Sequence, residues 1–206
     1  MEDLVKLFKK YYKEDFEKLQ RDSLSVEAKD GYTEKIEKEG VFIREIKASN
    51  GSNINIIVKV DENKITVIVL RVFIPENSTV NVNVIGKSKG EMYFYSEAIH
   101  EKKSISYLSE RFIIAGKMVN LSKIIIPENS EYSEGNLEQI IINKEGSNVV
   151  TIPILDVRNN TSKGMHASKN VKLSEEEIFY LKHLGIHSDK IFNLIEESMF
   201  PELFAI

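Results

Sequence analysis

Histidine carries the most open chemistry in this chain, which has four histidines and no cysteine. Without thiols there can be no disulfide, no thiolate nucleophile and no cysteine-bound zinc or cluster. His166, in K-G-M-H-A-S, carries an imidazole that could ligate a metal. The plainer reading makes it a surface histidine at a strand-to-helix junction, bonded to a backbone carbonyl. His183 and His187 are four residues apart, but Gly185 between them breaks the helical face that a metal pair needs. They are read as surface or partner-contact groups. His100, in A-I-H-E-K-K, reads as a corner residue. Other signatures are missing. G-K-S-K-G at 86–90 lacks the spacing and following helix of a phosphate loop, and neither G-x-S-x-G nor H-E-x-x-H occurs.

The elements that would position these residues follow from composition and pattern. A chain of 206 residues with 42% hydrophobic content fits one domain with a sizeable core. The net charge is −4 and lysines alternate with acids, so no basic stripe argues for nucleic acid. No apolar run approaches the roughly 18 residues of a membrane span. The first residues, M-E-D-L-V-K-L-F-K-K, lack the apolar core of a signal peptide, and the cytoplasm is the expected compartment. The N-x-S/T triplets at Asn50, Asn77, Asn120, Asn159 and Asn160 are accordingly read as chance.

Residues 3–20 put Leu4, Leu7, Phe8, Tyr11, Phe16 and Leu19 on one stripe, which predicts an amphipathic helix docked on the main body or on a partner. Residues 21–39 are polar and read as a linker. From Gly40 to about Val157 short runs rich in Val, Ile, Tyr, Phe and Thr alternate with turn clusters, an all-β pattern. F-I-P-E-N-S at 73–78 recurs as I-I-P-E-N-S at 125–130, a repeated strand-exit corner that suggests stacked coils, though a sandwich could also reuse such a turn. Near the end, Ser174 and Glu177 form a capping box, and Gly185 stops the helix that follows. A second helix capped by Ser188 completes a helical hairpin.

The stretch from Ser122 to Phe204 resembles the core of the SufB/SufD family, scaffold subunits of the SUF machinery for iron–sulfur clusters. Pro153, Leu155, Asp156, Val157, Arg158, Asn159 and Asn160 look like the family's P-x-(I/L)-E-(V/I)-(K/R)-N-N run. His166 follows Pro153 at the family's thirteen-residue gap, and Leu173, Phe179-Tyr180-Leu181 and Gly185-Ile186 fall in step after it.

The resemblance implies a right-handed parallel β-helix of five or six coils. The domains would be an N-terminal helix and linker (1–39), a β-helix core (40–168) and a C-terminal helical subdomain (169–206). It implies a non-enzymatic, SufD-like scaffold that pairs with itself or with a SufB-type subunit. Its C-terminal helices would dock a SufC-type ABC ATPase through Phe179, Tyr180, Leu184, Gly185, Ile186, Phe192, Ile195 and Phe200. His166 becomes a candidate iron ligand shared with the partner, since imidazole does ligate iron. No cofactor would be held stably by this chain alone, only a transient cluster at the subunit interface. The departures are specific. Gly146-Ser147-Asn148 stand where SufB carries its reactive cysteine, Ala167 where SufB has glutamate, and Gly164 where SufD often has cysteine. These vacancies keep open a degenerate paralogue with a structural or regulatory role. A polysaccharide-acting β-helix enzyme is the distant third reading.

Overall fold

The computed structural model describes residues 18–172, 174–187, 190–191, 193–194 and 197. The predicted N-terminal helix therefore lies, but for its last residues, outside the described residues, as do Ser188, Phe192, Ile195 and Phe200. Twelve strands alternate between two sheets. The first sheet contains β1 (Arg21–Ala28), β3 (Gly40–Ala48), β5 (Ile65–Ile74), β7 (Glu91–His100), β9 (Lys117–Ile126) and β11 (Asn148–Val157). The second contains β2 (Tyr32–Ile36), β4 (Asn53–Val60), β6 (Thr79–Ser88), β8 (Ile105–Ile114), β10 (Glu134–Asn143) and β12 (Lys163–Lys172). Every pairing is parallel, so each strand's sequence neighbours lie in the opposite sheet. The molecule is the expected parallel β-solenoid, followed by the helix α1 (Glu175–His183).

Strands of the second sheet such as β4 and β6 alternate inward apolar with outward residues, whereas β5, β7 and β9 of the first are buried on both faces at their centres. Inward-facing residues stack in ranks along the axis, such as Ile54–Val82–Leu108–Leu137 and Ile46–Val72–Ala98–Ile124. They fill the space between the sheets with one continuous core. Where a large ring enters, a small residue faces it. A Cβ on Gly86 would lie 2.7 Å from Phe112 Cδ1, and Phe112 in turn tilts against Phe94 at 5.4 Å.

The repeated P-E-N-S corners do mark the same exit, after β5 and after β9 of the first sheet. A wider regularity surrounds them. Ser52, Ser78, Ser104, Ser133 and Ser162 each immediately precede a strand of the second sheet. Their hydroxyls satisfy corner backbone, as when Ser52 donates to the Ala28 carbonyl and Ser133 to that of Glu101.

Two expectations need correction. Residues 21–39 are no linker: β1 and β2 occupy most of them. Their coil is the sheet edge, so only one side of each strand is covered and polar residues dominate. That coil is closed by Arg44, which points inward and is buried. It bonds Glu34 with Nε and Nη2 at 2.6–2.9 Å and Asp22 at 2.8 Å. The second correction is at the other end. His166 sits in mid-strand in β12, and the sheet runs on to Lys172 rather than turning helical after 168.

Candidate functional site

The last coil is the least covered part of the solenoid. β11 is half-buried along its length, and β12 is almost wholly exposed. Each pairs with one neighbour only, β9 and β10 respectively, so two ladder edges stand open among the described residues. His166 lies level with Leu137 and Leu108, which places it on the inward rank at this open end. Its ring stays exposed because no further coil among the described residues covers it. Tyr107, Asn136, Glu138, Met165 and Ala167 surround a shallow hollow beside it. Among the described residues no group of three or more His, Asp or Glu could hold a metal ion. His166 contributes a single imidazole, and Glu138 is the one carboxylate lining that hollow among the described residues.

The P-x-L-D-V-R-N-N run turns out to be structural. Leu155 and Val157 face the core. Asp156 points outward and takes two bonds from Arg158, at 2.9 and 2.8 Å, and one ion pair from Lys123 at 2.9 Å. These cations hold its carboxyl far below the usual carboxylate range, the Arg158 bonds most of all. Asn159 fixes the corner, donating from Nδ2 to the Pro127 and Ser130 carbonyls. The chain is thereby delivered into β12 in register. At Gly164 a Cβ would lie 2.9 Å from Val157 Cγ2, so a side chain here requires Val157 to move.

Beyond β12, Ser174 and Glu177 do form the predicted capping box, with Glu175, Glu176 and Glu177 in the first turn favouring the helix dipole. Gly185, at φ +83°, ends the helix: its N–H bonds the Lys182 carbonyl while that of Ile186 bonds Leu181. Phe179, Tyr180 and Leu184 are each more than 60% exposed, and Phe179 stacks at 5.1 Å on His183. Among the described residues nothing covers this apolar aromatic face.

Sequence reasoning missed the interior chemistry. Glu110 is fully buried between the sheets. It accepts bonds from Ser96 Oγ (2.6 Å), Ser122 Oγ (2.6 and 2.8 Å), Asn120 Nδ2 (2.8 Å) and Gln139 Nε2 (2.9 Å). His100 is buried as well, held by Ser104 Oγ at Nδ1 and Ser106 Oγ at Nε2, both at 2.8 Å. Ser104 already donates to the Glu101 carbonyl, so Nδ1 carries the proton and Nε2 accepts. Burial lowers the His100 pKa to about 4. The only available signal was a polar residue on an inward-facing position, visible once the register is known.

The described residues thus form a parallel two-sheet solenoid whose last coil is open and carries His166, followed by a helix with an exposed aromatic face. Residues 101–198 match the family model described as SUF system FeS cluster assembly, SufBD core domain. The match begins in the corner after β7 and runs through β8–β12 and α1. It supports the SufB/SufD family for this chain. No curated protein matches the chain. Among the described residues no helix is long and apolar enough to cross a membrane.

Proposed function

We propose that this chain is a non-enzymatic, SufD-like scaffold subunit of a SUF-type iron–sulfur assembly complex. One observation carries the reading: the last coil leaves a ladder edge open on each sheet, with His166 on its inward rank, among the described residues. A strand edge is a template for another chain, and a second scaffold subunit, this chain or a SufB-type protein, is the proposed occupant. Across that junction the cluster is cargo. His166 supplies one nitrogen ligand and the partner supplies the thiolates this chain lacks. Phe179, Tyr180, Leu184 and Ile186 dock the SufC-type ATPase, together with Gly185 and the outlying Phe192, Ile195 and Phe200.

Pull-down with a cognate SufC-type ATPase tests the docking. Aromatic anchors at interface centres contribute roughly 2 kcal/mol each, so Phe179→Ala with Tyr180→Ala should weaken capture by well over tenfold. Deleting 174–206 should abolish it. Capture that survives the deletion sinks the docking assignment.

The vacant thiol positions favour one alternative, a degenerate paralogue that keeps the fold and only stabilises a full scaffold. Anaerobic reconstitution of iron and sulfide with a SufB-type partner separates the two. The scaffold reading expects His166→Ala to cut the mixed complex's cluster yield at least twofold, whereas an unchanged yield favours the paralogue.

A further inference from the structure

The outer face of the first sheet carries an apolar band that its own strands cannot cover. Two ranks make it: Val41–Val67–Tyr93–Val119–Val150 and Ile43–Val69–Tyr95–Leu121–Ile152. Register places both on the side facing away from the second sheet, yet Tyr93 is 1% and Val119 2% exposed. Charged groups flank the band. Glu45, Arg71 and Glu97 form an ion-paired row on one side, and Glu91 pairs with Lys117 on the other. Of the apolar side chains packed on the band, only Leu19 comes from outside the sheet, among the described residues.

We propose that residues 3–17 form the cover, an amphipathic helix lying across the first sheet along the solenoid axis. Three observations select this segment. The Gln20 carbonyl accepts a bond from the Val41 N–H, so the chain enters the sheet at the first member of the band. Leu19 is already seated on it, and the stripe Leu4, Leu7, Phe8, Tyr11 and Phe16 continues from there. The lengths agree. From β3 to β11 the band crosses four inter-strand gaps, about 19 Å at ~4.8 Å per gap. A helix over 3–17 spans about 22 Å at ~1.5 Å per residue. The C-terminal segment is the poorer candidate, because the chain leaves β12 from the second sheet, where Val171 joins Ile85, Ile113 and Ile142 in a separate cluster. The lysines and acids between the stripe residues then meet the charged rows beside the band.

The absence of native cysteine makes the test direct. A lone thiol introduced by Val119→Cys should react with a soluble thiol reagent at least a hundredfold more slowly in the folded chain than in urea. Combining it with Leu7→Asp and Phe8→Asp, or deleting 1–17, should raise the native rate at least tenfold. A lone Ile124→Cys, facing the core, should stay protected in the same backgrounds and certifies the fold. Should the variants not fold, hydrogen exchange on the unaltered chain decides: amides of residues 5–17 should show protection. Full exchange of those amides within seconds overturns the proposal. So does protection of the thiol at position 119 that persists without residues 1–17, that rises with protein concentration (a second copy as cover), or that is lost on deleting 198–206.

Discussion

Glu110→Ala should destabilise the fold by about 4 kcal/mol, the range in which removal of one member strands a buried polar network. Four side chains from three strands, Ser96, Asn120, Ser122 and Gln139, direct their donors at this one carboxyl group. Truncation leaves Ser96 and Asn120 without this acceptor, leaves Ser122 and Gln139 only their bonds to Asn120 Oδ1 and Ser122 Oγ, and adds a cavity. Glu110→Gln preserves volume and one acceptor oxygen, so its loss should be about half as large. Urea unfolding followed by circular dichroism measures both. A Glu110→Ala loss below about 1 kcal/mol would show that the donors re-pair, and that the network does not set stability.

Acid should weaken the protein through His100. The native state holds this imidazole neutral, with a pKa of about 4, while the unfolded chain titrates near 6.5. Between those values the unfolded state binds more protons, so stability is fully present above pH 6.5 and falls as pH drops toward 4. Below 4 both states are protonated and this contribution levels off. The span is worth about 3 kcal/mol. His100→Asn fits beside Ser104 and Ser106 without a titrating group. The loss of stability between about pH 7.5 and about pH 4 should therefore differ between the two proteins by about that amount. Equal losses would place the titration elsewhere. Gly135 bears on the same pocket, because a Cβ there would run into Ile124 Cγ2 and crowd His100 Nε2.

The strand edges and the helix were legible because their signals are local. Runs rich in Val and Ile mark β4 and β5 nearly to the residue, and the Ser174–Glu177 box with Gly185 brackets α1. Where coverage is one-sided, legibility fails. β1, β2 and β12 belong to end coils, and their polar composition reads as linker or junction. β8 was legible only as two fragments, since Glu110 interrupts its apolar pattern, and Glu110 is the residue the interior needs.

By itself the sequence determined an all-β body with a helical tail and no thiol chemistry. Those properties rest on alternation, corner residues and composition, each set within a few neighbours. The resemblance to the SufB/SufD family chose stacked coils over a sandwich, and it, not the residues alone, pointed to His166. Which face each residue serves was decided by the tertiary structure alone. Coil-on-coil register, over steps such as the one that sets Glu91 beside Lys117, sends Glu110 and His100 into the core. The same register leaves His166 on the inward rank of a coil with nothing stacked beyond it among the described residues. Where a strand is apolar on both faces, as β5 is, or carries a polar residue inward, as β8 does at Glu110, local alternation does not settle which face meets the core.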